Sequence, residues 1–529
     1  MNVKTNMIST GLLVIVMSCV ASMVTAQDDG SRNRRRGSEP QREAKPEKSE
    51  TPSKKEQAGP ITAVVGGDIH TVTGSMIRGG TLLMQDGKII DLGNDVDVPE
   101  GATIIDAAGK VITPGFVAIN MSGLGVRSAP QKQDKLGDAL DPFDRNMKFA
   151  LGVGITSGCV ELSSRGGRGR RRRNGEPEER FLGLDPNPEE YVTEALLDYG
   201  DEDTSLCPCC GLPVLPTEPI TSRPPSQPQP RKFSAIKLSF GNLDSMLLEE
   251  NVFYSPNPGS LTGALNRHNW RREVLKAKKA IQAEADKAKA ANAAKSGGKE
   301  TTASKSGSSS SSSSKSASSS SRGGSRVNPE LLRLLKHEIA LRISAETVDE
   351  IKDMAELASE LDYDLIIEGG TEAWLVVDDV SQSEAQIIYT PRRRRSARRG
   401  AEETSGSHVG SPGIFQKSGI PFAVSALSSS ISLGGLAGRD LSSLPLEAAF
   451  AVRGGADEKT SLAAITITPA RMLGLEDRIG SIEVGKDADI LIMNGPPLDY
   501  RTYVEQAIVD GKVCYDRAKD RVYPVFDRE

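Results

Sequence analysis

The sequence is poor in the side chains that usually hold catalytic metal ions. Histidine occurs four times in 529 residues, at His70, His268, His337 and His408. No two of them have the short spacing by which neighbouring histidines share a metal ion. We therefore expect ordinary solvated or core histidines and no histidine-based metal centre.

Long apolar runs are also lacking. The only run near the start, Gly11–Met17, is too short to span a bilayer as a helix. With Lys4 before it and a small-residue cleavage motif at 24–26, it predicts a signal peptide over 1–26 and export to the periplasm or the extracellular space. A lipobox-like alternative would leave Cys19 lipidated. No transmembrane segment is expected after cleavage.

Hydrophobic residues make up only 37% of the chain because several stretches are almost entirely polar. Residues 27–59 are rich in Arg, Glu, Lys, Ser and Pro and predict a disordered tether. Similar low-complexity composition predicts disordered insertions at 163–232, 296–326 and 391–411, the second containing the run Ser308–Ser321.

Between the tether and residue 113 the pattern changes to short β-rich runs. Thr62–Val72, Thr81–Met84 and Thr103–Asp106 predict strands. Asp86-Gly87 predicts a hairpin turn, because this pair readily adopts positive φ angles. Residues 60–113 are thus predicted to form one part of a small β-sandwich.

The central stretch, Val111–Gly125, reads VITPGFVAINMSGLG. It resembles the first barrel strand of the amidohydrolase superfamily, in particular the imidazolonepropionase-like branch. In that family an aspartate and two metal-binding histidines follow the Pro-Gly turn. Here those positions are Ala118, Asn120 and Ser122. The scaffold half of the motif is kept and the metal-binding half is lost.

The C-terminal string TPARMLGL, followed by RIGSIEVGKDADILIM and VDGKVCYDR, resembles the segment that closes amidohydrolases. The resemblance implies an α/β protein with a (β/α) TIM-like barrel over 114–467. It also implies that 468–529 leave the barrel and complete the β-sandwich begun at 60–113. The barrel is expected to be distorted by its insertions.

The remaining family ligand positions can be placed on strands that resemble barrel strands. ALRISAETVDEI places family histidines at Ser344 and Glu346, DLIIEGG places one at Gly369, and PFAVSAL ends in Leu427 where the family has Ser-Asp. A catalytic metal needs about three strong donors. These positions therefore predict a site without metal or catalytic residues. They are Asn120, Ser122, Ser344, Glu346, Gly369 and Leu427. Two alternatives stay open.

The first alternative is a rebuilt carboxylate site for Zn or Mn from Glu346, Glu368 and Asp378. The second concerns Lys237, since a barrel lysine can serve some amidohydrolases as a carbamylated bridging ligand. Without histidines nearby, an ion-paired or solvated Lys237 is the expectation.

Two arginine clusters follow predicted strands and would emerge on the barrel face that normally holds the active site. They are Arg170, Arg171, Arg172 and Arg173, and Arg392, Arg393, Arg394 and Arg395. Solvated loops are one interpretation. The other is weak, salt-sensitive binding of an anionic polymer. No aromatic residues alternate with the arginines, so specific nucleic-acid binding is not expected.

Cys207, Cys209 and Cys210 form a further cluster that is compatible with disulfides, free thiols or metal binding. Two classes of function remain. One is a metal-dependent hydrolase of C–N bonds in cyclic amides, as the family resemblance implies. The other is a non-catalytic, exported binding or scaffold protein, which the lost ligands favour.

Overall fold

The computed structural model describes residues 59–126, 136–161, 231–256, 261, 263–296, 327–401, 403–431 and 439–522. Its strands, numbered in chain order, are β1 Thr62–Ile69, β2 Ile77–Gln85, β3 Lys88–Gly93, β4 Thr103–Asp106, β5 Val111–Pro114, β6 Phe116–Met121, β7 Ile155–Glu161, β8 Phe233–Lys237, β9 Leu247–Glu249, β10 Phe253–Tyr254, β11 Ala340–Ala345, β12 Leu365–Gly369, β13 Gln386–Tyr389, β14 Phe422–Val424, β15 Ile490–Met493, β16 Val504–Val509 and β17 Lys512–Asp516.

The α-helices, numbered in the same way, are α1 Leu136–Ala139, α2 Arg145–Gly152, α3 Ala264–Ser296, α4 Pro329–Leu334, α5 Val348–Leu361, α6 Val377–Gln382, α7 Ser411–Lys417, α8 Leu444–Arg453, α9 Glu458–Ala463, α10 Ile467–Met472 and α11 Arg517–Asp520. Two 3₁₀ turns lie at Ala373–Leu375 and Leu441–Ser443. None of the helices within the described ranges is long and apolar enough to cross a membrane.

Both ends of the described chain contribute to one eight-stranded sheet. Its order is β17-β16-β15-β5-β1-β2-β3, with β4 paired to β1. The ends meet where β15 runs antiparallel to β5, with Leu491 opposite Thr113. Asp86 and Gly87 have the predicted positive φ angles, 50° and 78°, in the β2–β3 hairpin. The pairing of the two ends agrees with the sequence analysis, but their arrangement as a sandwich stays a prediction.

The barrel region is a mixed α/β structure of two further sheets. Strands β10 to β14 form an all-parallel sheet, and β6 to β9 form a mixed one in which β6 and β7 are parallel. In the described residues the two sheets do not close into a continuous barrel. Single contacts join their edges instead: Val117 N and Val424 N donate to the carbonyls of Ile465 and Ala464, and Val252 N donates to Phe233 O.

Amphipathic helices cover the parallel sheet. Helix α5 begins at a capping box in which Thr347 and Glu350 satisfy each other's backbone N–H groups. Its buried face, including Ile351, Leu357 and Leu361, packs into a core continuous with the barrel strands. This packing fixes the loops that follow β11 and β12, where several of the predicted site positions lie.

Candidate functional site

The carboxyl ends of the parallel strands surround a cavity of about 460 Å³. Four of the six degenerate ligand positions lie on its wall: Asn120, Ser122, Gly369 and Leu427. These four positions, which the sequence analysis placed on three different strands, lie around one cavity. Ser344 is exposed on β11 outside this lining, and Glu346 lies just behind Gly369.

A buried arginine that the sequence analysis did not single out, Arg342, contacts three of the residues that line this cavity: Asn120, Phe233 and Glu368. The side chain of Arg342 is fully buried. Its Nη2 donates hydrogen bonds to Asn120 Oδ1 and, at 2.9 Å, to Glu368 Oε1. The guanidinium also stacks over the ring of Phe233, 4.2 Å from its centroid. Arg342 thus brings a fixed positive charge beside Asn120, a position where the family resemblance implies a metal ligand.

Glu368 is bound by two cations. In addition to Arg342, Arg231 Nη2 lies 3.2 Å from Glu368 Oε2. Burial alone would raise the pKa of Glu368, but the charges of Arg342 and Arg231 outweigh burial and leave the pKa below its ordinary value. Both carboxylate oxygens are therefore already engaged, and the group is an anion held by guanidinium groups.

The other first-strand positions have partners as well. Asn120 Nδ2 donates to Ser425 Oγ at 3.0 Å, and the hydroxyls of Ser122 and Ser429 lie 2.9 Å apart. Buried Cys159 also lines the cavity; burial first, and then the Glu368 charge, raise the pKa of its thiol to about 12. The thiol is therefore neutral at physiological pH.

The side chain of Glu346 fills the space that a side chain at position 369 would need. A Cβ built at Gly369, whose φ is 103°, would lie 2.6 Å from Glu346 Oε1. Glu346 accepts a hydrogen bond from Thr371 and pairs with Arg393 at 3.1 Å. Glu346, the one acid among the six ligand positions placed from the sequence, therefore holds a loop in place.

The alternative carboxylate metal site does not assemble. Asp378 is an exposed residue on α6, whereas Glu368 and Glu346 are paired with arginines. Across the described ranges, no three His, Cys, Asp or Glu side chains are grouped so that they could hold a metal ion. None of the four histidines lines the cavity. The residues present thus do not fit the divalent metal that the family resemblance implies.

Lys237 lies at the junction between the barrel region and the eight-stranded sheet, in the ion-paired state expected as the main interpretation. Its fully buried Nζ is 2.7 Å from Asp487, 3.0 Å from Asp489 and 2.6 Å from Asp510. Burial lowers the pKa of Lys237, but the three carboxylates outweigh it and the pKa is raised. Lys237 is therefore a cation that joins the two regions and does not line the cavity.

The segment 391–411, predicted as a disordered insertion, instead packs against the barrel where the structure describes it. Arg392 Nε pairs at 2.8 Å with Glu447, whose side chain is fully buried, and Arg395 pairs with Glu372 at 3.6 Å. The Trp374 ring stacks on His408 and its Nε1 donates to Gly406 O. Glu372 and Glu447, which are buried on neighbouring elements, provide the partners for these arginines. The sequence alone did not indicate that these two acids are buried.

This pairing limits the proposed polyanion surface. Arg392, Arg393 and Arg395 each have a carboxylate partner, whereas exposed Arg394 forms no ion pair with any residue that the structure describes. The second run, Arg170–Arg173, lies outside the described residues. So do the predicted signal peptide with Cys19, residues 27–58 of the predicted tether, and the cysteines Cys207, Cys209 and Cys210.

Comparison with known proteins supports the family resemblance for part of the chain. Residues 417–514 match the model of the Amidohydrolase family. The Amidohydrolase tasK of Hapsidospora irregularis is 37% identical over 71 residues, which are 13% of this chain and 7% of that protein. The chain thus covers only a small fraction of this curated relative.

The crystal structure of an amidohydrolase from Thermotoga maritima MSB8 has a TM-score of 0.55 to this structure, at 20% identity, covering 86% of this chain and all of that one. The fold is thus similar to that of this amidohydrolase. N-acetylglucosamine-6-phosphate deacetylase from Pasteurella multocida is a more distant neighbour, with a TM-score of 0.41 and 14% identity over 86% of this chain and all of that one.

Proposed function

We propose that the protein is an exported, non-catalytic binding protein of amidohydrolase fold, in which a buried guanidinium has replaced the metal ion. The observation that carries this proposal is the bonding of Arg342 to Asn120 and Glu368. The predicted signal peptide at 1–26 supports export, and the loss of the family's ligands supports the absence of metal-dependent hydrolysis.

Electrostatics disfavour a metal beside Arg342. Two unit charges of the same sign 4 Å apart repel by about 4 kcal/mol at an effective dielectric constant of 20, so a divalent ion would meet roughly twice that. A metal would also have to take Glu368 from Arg342 and Arg231. Leaving the buried Arg342 without its partner would add a further cost of about 3–5 kcal/mol.

The cavity itself remains suited to a small polar ligand. The charges around it cancel: Arg231, Arg342 and Arg393 face Glu161, Glu346 and Glu368. Hydroxyl groups on Ser122, Thr390, Ser425 and Ser429 line the wall together with Phe233 and Leu427. A neutral molecule that exchanges hydrogen bonds with these groups fits the cavity better than a strongly charged one.

A ligand screen by thermal shift tests the binding function. Small polar molecules that raise the melting temperature of the parent should lose this effect in Leu427→Trp, which narrows the mouth of the cavity at a side chain 41% exposed. Val484→Trp, at an exposed position outside the cavity, is the matched control. A ligand that raises the melting temperature of both variants equally would bind outside this cavity, which would contradict the proposal.

A hydrolysis assay tests the absence of catalysis. Cyclic amides incubated with the full chain and added Zn²⁺ or Mn²⁺ should hydrolyse no faster than in buffer with the same metal. Metal-dependent turnover that disappears in Glu368→Gln would instead establish the alternative, a metal-dependent hydrolase with a rebuilt carboxylate site.

A further inference from the structure

A second cavity, of about 770 Å³, lies between the end of β1 and helices α8 and α9. Its walls are largely apolar and include Val72, Leu446, Val452, Leu462 and Leu498. It shares no lining residue with the site cavity. Cavities of this size at the boundary between two structural units are common ligand sites.

The turn after β1 that forms one wall is strained. Val72 has a φ of 73°, a conformation that β-branched residues rarely adopt, at a cost of about 1–3 kcal/mol. Neighbouring contacts hold the turn in place: Thr71 Oγ1 donates to Ser75 O at 3.2 Å, and Thr73 Oγ1 donates to Glu483 at 2.8 Å. Such strain is concentrated at ligand sites.

An imidazole is available at the polar end of the cavity. His70 is partly buried on the wall, and its ring makes no hydrogen bond to any described residue. Burial lowers the pKa of His70, although the carboxylates of Asp68 and Glu458 act in the opposite direction. The ring is therefore neutral at pH 8 and can accept a hydrogen bond from a ligand.

The charges near His70 favour a cation. Asp68 and Glu458 are the charged groups that act on its ring, and both are acidic. Asp499, also on the wall, is paired with Arg501 at 2.6 Å. Lys459 is the nearby base, and its Nζ lies 3.5 Å from Gly74 O. Among these groups, Glu458 keeps an exposed carboxylate that no described residue pairs with.

We propose that this cavity binds small apolar amines, with the ammonium group donating to His70 and pairing with Glu458 while the apolar body lies against Val72, Leu446 and Leu462. This inference is independent of the function proposed for the site cavity. It depends only on the walls, the turn and the two polar side chains of the second cavity.

Isothermal titration of the full chain at pH 8 and low salt tests the proposal with three matched probes. We expect 3-phenylpropylamine to bind, 3-phenylpropanol to bind more weakly, and 3-phenylpropionate not to bind. Glu458→Gln should weaken amine binding about fivefold, as expected for a partly exposed ion pair. Glu356→Gln, which removes an exposed acid on α5 away from the cavity, should leave it unchanged.

Ala449→Phe places a ring in the cavity from α8 and should abolish binding of the amine. A cooperative melt of this variant, close to that of the parent, confirms that it is folded. If Ala449→Phe fails to fold, Leu462→Ala provides the second test. This change shortens a side chain on the wall, which enlarges the cavity and should change its affinity for the amine. Equal binding of amine and carboxylate, no binding of the amine, or full affinity in Glu458→Gln would each overturn the proposal.

Discussion

Arg342 Nη2 lies 2.9 Å from Glu368 Oε1, deep in the barrel region of an amidohydrolase fold. The same nitrogen donates a hydrogen bond to Asn120, at a position where the sequence resemblance implies a metal ligand. A side chain of the protein thereby supplies the positive charge that neutralises the acid at this site. The arrangement supports the proposed replacement of a metal ion by a guanidinium group and leads to measurable consequences for stability and metal binding.

Replacing Arg342 by methionine should strongly destabilise the protein. The variant removes a fully buried cation and leaves Glu368 with Arg231 as its remaining cationic partner. We expect a loss of about 3 kcal/mol in the free energy of unfolding, measured by urea denaturation. Arg272→Met, at an exposed position on α3, should change it by less than about 0.5 kcal/mol. Equal stability of the two variants would contradict a buried ion pair.

The Arg342–Glu368 pair should also produce a defined pH dependence. The pKa of Glu368 is lower in the folded protein than in the unfolded chain, so its contribution to stability is present above the unfolded pKa, about 4.3. It is lost as the pH falls through the folded pKa. The stability difference between the parent and Glu368→Gln should therefore be constant from pH 5 to 7 and shrink below pH 4. A difference that stays constant down to pH 3 would argue against this assignment.

Within the arginine run 392–395, Arg392 should contribute to the stability of the protein and Arg394 should not. Arg392→Ser leaves the buried Glu447 carboxylate without its guanidinium partner, whereas exposed Arg394 has no ion pair to lose. We expect Arg392→Ser to cost about 2–3 kcal/mol and Arg394→Ser close to nothing, compared by thermal and urea unfolding. Similar melting temperatures for both variants would restore the view of the segment as a solvated spacer.

Lys237 should be essential for joining the barrel region to the eight-stranded sheet. Lys237→Met would leave Asp489 and Asp510 without the ammonium group that neutralises them. We expect a loss of at least about 3 kcal/mol, with Lys232→Met as an exposed control from the same part of the chain. If Lys237→Met unfolds at the same denaturant concentration as Lys232→Met, the cluster contributes little.

Much of the architecture followed from local sequence patterns. Thr103–Asp106 was predicted with the bounds that the strand has in the structure. The pairing of the chain ends and the convergence of Asn120, Ser122, Gly369 and Leu427 followed from the family resemblance.

The identity of the groups in the site depended on contacts between distant residues. Arg342 and Glu368 are 26 residues apart, and Arg342 and Asn120 are 222 apart. One signal was present: an arginine within the otherwise apolar strand ALRISA, which in a buried strand requires a partner. The order in segment 391–411 had no such signal, because Glu372 and Glu447 resemble surface acids in the sequence.

Metal content of the purified full chain tests the central claim most directly. The protein, prepared without chelators, dialysed against Zn²⁺ or Mn²⁺ and then desalted, should carry well below one equivalent of metal by elemental mass spectrometry, because Arg342 already occupies the acid that a metal would need. Stoichiometric tightly bound metal that is lost in Glu368→Gln, with Asp378→Asn as the control that keeps it, would contradict the replacement of the metal by a guanidinium group.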